Sequence, residues 1–257
     1  MPISHVLDGQ VATIIINNPA KLNALGLGDW AVLGEAATAL SKNTELRCVV
    51  VRGAGGKAFS AGADISEFPD ARADAAQASD YGAVVAGTLA AIQECRHPTI
   101  AMINGVCTGG GVEIACACDI RIAARSARLG VPINRLGHAF AYAEMAPVLA
   151  AVGSALVLEL LLEGRILDAD EAERRGLVNR VVADADLEAE VKATAGRIAE
   201  GAPLANRATK RILRRLLEGR PLTAAETAQA YDLCDSQDYA EGLAAFLAKR
   251  KPTFEGR

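Results

Sequence analysis

Residues 99–119 read TIAMINGVCTGGGVEIACACD, and the rest of the chain is placed from this stretch. Its first five residues, Thr99-Ile100-Ala101-Met102-Ile103, form a short apolar run between Pro98 and Asn104-Gly105, which predicts a buried strand. Gly109, Gly110 and Gly111 then stand directly ahead of a helix-compatible segment, residues 112–118, whose one charged side chain, Glu113, falls in the first turn. Glycine lets the backbone approach a ligand closely, and a helix N-terminus offers unpaired N–H groups and positive dipole. The pattern predicts an anion site with a carboxylate one turn in. That pairing can stabilise an enolate while a proton is added or removed at carbon.

Upstream, Val11–Ile16 is an apolar run ending at Asn17-Asn18-Pro19, a strand followed by a turn. Residues 21–25, Lys-Leu-Asn-Ala-Leu, open a loop into a helix over residues 30–40, with Asp29 as the expected N-cap. Cys48-Val49-Val50-Val51 is a run of the kind found in strands covered on both faces. The sequence β, α, β predicts a mainly parallel sheet with right-handed crossovers. Residues 52–64 are rich in glycine, yet a dinucleotide fingerprint would need a third glycine where Ala58 stands, and a Walker A loop would need glycine at Val51 and Ser or Thr at Ala58.

Downstream of a turn at Pro69-Asp70, read as a surface loop, residues 71–93 have helical spacing. Residues 120–124 and 127–130 read as a short strand pair, and residues 131–137 as a loop. Helical stretches then follow at 143–152, 155–162, 169–175, 187–200, 203–218 and 224–236, separated by glycines. The expected architecture is a β/α core followed by an all-helical C-terminal part.

The 257 residues are 51% hydrophobic and 23% charged, enough for a large core. A net charge of -4 argues against a nucleic-acid surface, and Lys210, Arg211, Arg214 and Arg215 read as a solvated helix face. The N-terminal decapeptide MPISHVLDGQ has no basic segment leading into an apolar one, and no apolar run approaches the length of a membrane span, so a cytoplasmic location is expected. Six cysteines without CxxC spacing and only three histidines predict buried thiols, no disulfide framework and no metal site.

Several ordered motifs together resemble the enoyl-CoA hydratase/isomerase, or crotonase, family. They are Asn-x-Pro-x-x-x-Asn-Ala-Leu over residues 17–25, Ala-Gly-Ala-Asp over 61–64, Gly-Gly-Gly-x-Glu over 109–113 and the trailing CDIRIA over 118–123. Gly164-Arg165-Ile166 with Gly176-Leu177-Val178, and a tail from Glu241 to Phe254, complete the match nearly end to end. The resemblance implies an α/β fold, a spiral of ββα units, with a core over residues 1–195 and a helical region over 196–257 that covers the site and builds a homotrimer or dimer of trimers. It implies an acyl-CoA thioester substrate, no cofactor beyond the CoA moiety, and no metal. By family pattern the N–H groups of Ala63 and Gly110 hold the thioester oxygen beside Glu113. Ala61, Ala63, Asp64, Ile65 and Ser66 line the adenine pocket, and Leu22, Ala24 and Leu25 cover the CoA.

One departure stands out. Family hydratases carry a second glutamate in a Pro-Glu pair about twenty residues after the first, and here the pair is Pro132-Ile133. A hydrocarbon side chain cannot take a proton or orient water. His138, Tyr142 and Glu144 are the candidate substitutes. Enoyl-CoA hydration is the first expectation. The alternatives are another reaction through the same enolate (double-bond isomerisation, decarboxylation or thioester hydrolysis) and a CoA-thioester-binding protein with little catalysis.

Overall fold

A computed structural model describes residues 2–257. The chain opens with β1 (Ile3–Asp8) and β2 (Val11–Ile16), an antiparallel hairpin, followed by α1 (Leu27–Lys42). Three turns of a repeating pattern come next. β3 (Cys48–Gly53) and β4 (Ala58–Ser60) lead through α2 (Phe68–Ala71) into α3 (Ala75–Gln93). β5 (Thr99–Ile103) and β6 (Val106–Thr108) lead into α4 (Gly110–Ala117), and β7 (Ile120–Ala124) and β8 (Arg128–Gly130) into α5 (Tyr142–Leu162).

In each turn the first strand joins one sheet and the second joins another. The larger sheet runs β1-β2-β3-β5-β7-β10, where β10 is Arg180–Val182, and is parallel from β2 onward. The smaller runs β4-β6-β8-β9, where β9 is Ile166–Asp168, with β9 antiparallel. This is the expected spiral of ββα units. Residues 120–124 and 127–130, read as a pair, therefore lie in different sheets, because the chain crosses from one layer to the other between them.

Alternation along the strands explains the continuous apolar runs. Val49, Val51, Ala101 and Ile103 face a core filled by Trp30 and Leu33 of α1, Leu89 of α3 and Ile114 of α4. Cys48, Val50, Ile100 and Met102 face the other way, onto Leu187, Val191 and Ala195 of α7 (Leu187–Glu200), which follows α6 (Ala169–Arg174). Both faces are dry, so both sets are apolar.

Several expectations are corrected. Asp29 is not the N-cap of α1. Gly26 is, and Asp29 sits three residues in, where its carboxylate accepts the Gly26 N–H at 3.1 Å. Glu67 closes the same helix end from a distance, accepting the Leu27 N–H at 2.9 Å. The segment around Pro69-Asp70 is a helical turn rather than a bare loop, with Phe68 packed on the core, and α3 begins only at Ala75, capped by Asp74 accepting the Gln77 N–H.

The all-helical tail is α8 (Pro203–Leu217), α9 (Ala224–Gln229) and α10 (Gln237–Leu247). The basic cluster on α8 is not a solvated face throughout. Lys210 reaches inward, donates to the Cys95 and His97 carbonyls at 2.8 and 2.7 Å, and pairs with Asp119 at 2.6 Å, while Arg214 shares that carboxylate. Arg215 pairs with Glu226 of α9. Charges that looked like solvation instead fasten the tail to the core.

Five cysteines are buried, but Cys234 is exposed; all six are free thiols. Among the described residues no cluster of His, Cys, Asp and Glu is placed to hold a metal ion. No apolar run of membrane-span length was expected, yet α5 is 21 residues long and apolar enough by length and composition to cross a membrane. It also carries Glu144 and Glu159 and a break at Gly153, where φ is 72° and ψ 170°.

Candidate active site

A cavity of about 300 Å³ opens where α4 meets the segment after β4. Ala61, Ala63, Gly110, Glu113, Ile133, His138 and Glu144 all line it. Residues far apart in sequence thus share one wall, because the ends of β4, β6 and β8 lie side by side in the small sheet.

The segment carrying Ala63 is held from several directions. The buried Ser60 hydroxyl donates to the Asn23 carbonyl at 2.7 Å and accepts the Gly62 N–H at 3.1 Å. Leu25 N–H donates to Gly62 O and Asp64 N–H to Leu25 O, each at 2.8 Å. Such a bridge uses the donors and acceptors on one edge, which leaves the Ala63 N–H on the other edge. Among the described residues it has no acceptor within the chain. The Gly110 N–H is likewise free, as the first donor of α4. Gly62 is packed so tightly here, with φ at 90°, that a Cβ on it would stand 2.5 Å from Gly110 N.

Asn23 shapes the approach. It is fully buried at φ 58°, and its side-chain amide donates to the Ala54 and Ala58 carbonyls at 3.0 and 2.7 Å. The expected CoA-contacting residues divide accordingly. Ala61, Ala63 and Ile65 face the cavity. Asp64 and Ser66, on the alternate positions, are tied to Lys21, with Lys21 Nζ 2.5 Å from Asp64 and 3.2 Å from the Ser66 hydroxyl. Leu22 is on the surface, whereas Ala24 and Leu25 are buried, and none of these three side chains lines the cavity.

Glu113 is 5% exposed, and its carboxyl makes no hydrogen bond within the described residues. Burial pushes its carboxyl well above the usual 4.5, the negative charge of Glu144 adds to the rise, and the Arg72 guanidinium opposes it. Glu144, also 5% exposed, lies in the first turn of α5 and accepts the Ala141 N–H at 2.9 Å. His138 accepts a hydrogen bond from Arg72, and burial together with that neighbouring charge lowers its pKa.

Tyr142 does not belong here. It is 96% exposed, although it is two residues from Glu144. On a helix, positions i and i+2 point in nearly opposite directions, so one of the two had to face away. The sequence reading passed over Arg72, Tyr81 and Gly62. Arg72 carried a signal, as the single basic residue between Lys57 and Arg96 in a span holding six acidic ones.

The raised carboxyl makes a prediction about stability. The folded state binds the Glu113 proton more tightly than the unfolded state, so wild-type stability falls as pH rises from about 4.5 toward the raised folded value. Glu113→Gln removes that loss. Its Tm should exceed the wild type's at about pH 8, with the gap closing toward pH 4.5, as read by thermal melts across the range. A pH-independent gap would contradict the buried, proton-holding carboxyl.

Comparison with known proteins agrees over the whole length. The family model for enoyl-CoA hydratase/isomerase matches residues 7–257. A solved structure described as an enoyl-CoA hydratase/carnithine racemase from Magnetospirillum magneticum superimposes with a TM-score of 0.98 at 49% identity, covering 100% of this chain and 96% of that one. The crotonyl-CoA hydratase of Syntrophomonas wolfei is 36% identical over 95% of this chain and 94% of its own. The short-chain-enoyl-CoA hydratase of Clostridium acetobutylicum is 34% identical over 98% and 97%.

Proposed function

The chain belongs to the enoyl-CoA hydratase/isomerase family, whose members act on acyl-CoA thioesters, and from that premise we propose that it adds water reversibly across a trans-2-enoyl-CoA. The observation that carries this reading is the meeting of two buried carboxylates, Glu113 and Glu144, in one cavity with the two unpaired N–H groups. Ile133 lines the same cavity at the position of the missing family glutamate, and Glu144 takes over the missing role from α5.

The thioester oxygen is held by the Ala63 and Gly110 N–H groups, which stabilise the negative charge that develops when the double bond is attacked. Glu144, held at a helix N-terminus by the Ala141 N–H, orients the water and takes one of its protons as the oxygen bonds to C3. Glu113, kept protonated by burial, delivers its proton to C2 of the enolate. Two carboxyl groups in unlike environments are thereby divided into base and acid. The tail's exposed Leu213, Leu216, Leu217, Phe246 and Leu247 support self-association through the C-terminal helices, in keeping with a trimer or dimer of trimers.

The test is crotonyl-CoA hydration followed at the enoyl thioester absorbance. Glu144→Gln should lower kcat by at least ~10²-fold, and Ile133→Glu in that background should restore part of the loss. Wild-type turnover in Glu144→Gln would remove Glu144 from the reaction. A wild type inert to enoyl thioesters that still binds CoA esters tightly would favour the binding-protein alternative.

A further inference from the structure

The cavity holds a guanidinium that the hydration chemistry does not use. Arg72 follows α2, and its Cζ lies 4.7 Å from the Phe68 ring centroid and 5.0 Å from that of Tyr81. The two rings meet edge to face at 5.9 Å, so the guanidinium is positioned against a rigid aromatic corner. One terminal nitrogen donates to His138. The remaining N–H groups have no acceptor, and among the described residues Arg72 forms no ion pair.

A further donor lies on the same wall. The Tyr81 hydroxyl and the Trp30 indole N–H belong to cavity-lining residues that are 1% exposed; the indole N–H is directed at the Tyr81 oxygen, and the Tyr81 O–H has no acceptor among the described residues. A buried hydroxyl without an acceptor is costly, and it stands beside a guanidinium with N–H groups to spare, so the place calls for an acceptor that the chain does not supply. The acceptor must come from outside, and the fixed positive charge selects an anion.

We propose that Arg72, with the Tyr81 hydroxyl, forms a carboxylate subsite, so that the substrate is an enoyl-CoA whose acyl chain ends in a carboxylate. This rests on the proposed function for the reaction but not for the binding. A planar guanidinium matches a carboxylate through two parallel N–H donors, and an acyl chain ending in a trimethylammonium would be repelled.

Calorimetric binding of unreactive saturated thioesters tests the subsite without turnover. The pairs are succinyl- against butyryl-CoA, glutaryl- against valeryl-CoA and adipoyl- against hexanoyl-CoA. In the wild type at least one pair should show the dicarboxylic member binding roughly 10- to 100-fold tighter, as charge-assisted bonds to a positioned guanidinium provide. The ratio should fall to within about threefold of unity in Arg72→Met and recover in part in Arg72→Lys. Equal affinities in every wild-type pair, or a preference that survives Arg72→Met, would overturn the proposal. So would tighter binding of γ-butyrobetainyl-CoA, with its trimethylammonium, than of valeryl-CoA. Discrimination without hydration of any enoyl thioester would leave the subsite standing and refute the hydratase reading. Hydration of crotonyl-CoA without discrimination would do the reverse.

Discussion

Glu113→Gln is expected to lower kcat for crotonyl-CoA hydration by ~10²- to 10⁴-fold, with a much smaller effect on KM. The amide is nearly isosteric with the carboxyl it replaces, so the cavity keeps its shape, and the thioester still meets the Ala63 and Gly110 donors. What is lost is the proton that C2 must receive. The result is distinguishable from misfolding because the same substitution should raise Tm at neutral and alkaline pH, where the wild type bears the cost of ionising a group buried beside Glu144. A variant at once slower and more stable identifies a functional group kept at the expense of stability. Unchanged kcat would remove Glu113 from the chemistry.

Gly62→Ala is expected to be nearly as damaging, although residue 62 bears no reacting group. Its φ of 90° is a conformation that L side chains rarely adopt, and the added methyl would stand 2.5 Å from Gly110 N and 2.9 Å from Thr108 O. Both obstacles are backbone, which cannot swing aside as a side chain can. The segment must lift from the start of α4, carrying the Ala63 N–H away from the Gly110 N–H. Loss of one such donor costs ~10²- to 10³-fold in kcat. Strain of this kind also lowers stability, by about 1–3 kcal/mol. Gly9→Ala is the control, since its φ is 57° but nothing lies within 4 Å of the added methyl. It should lose stability without losing turnover. Wild-type kcat in Gly62→Ala would show that the two amides do not act on a common oxygen.

The elements that were legible in advance are those whose side chains meet the same kind of surroundings throughout. β2, β3 and β5 read as apolar runs because helices cover the sheet on both faces, and α4 was announced by three glycines and a first-turn glutamate. β1 was missed because Val6 and Leu7 face solvent at the sheet's edge, which breaks the alternation. β4, β6, β9 and β10 are three residues each, too short for any periodicity to develop. The C-terminal charges misled for a different reason: a lysine in a helical pattern looks the same whether it meets water or, like Lys210, a half-buried aspartate and the carbonyls beside it.

Local sequence therefore determined that a free helix N-terminus would face an acid in its own first turn, since Gly109 to Glu113 is a contiguous signal carried by backbone geometry. It also determined that Ile133 cannot supply a second proton. Which of the candidate side chains shares the cavity with Glu113 was decided by tertiary structure, because the rotation of α5 puts Glu144 into the cavity and turns Tyr142 out to solvent. The same holds for the corner of Phe68, Arg72 and Tyr81, whose members come from a helical turn, the segment after it and the next helix. Charge, burial and direction at these positions depend on what the folded chain brings opposite them, and no pattern along one segment encodes that.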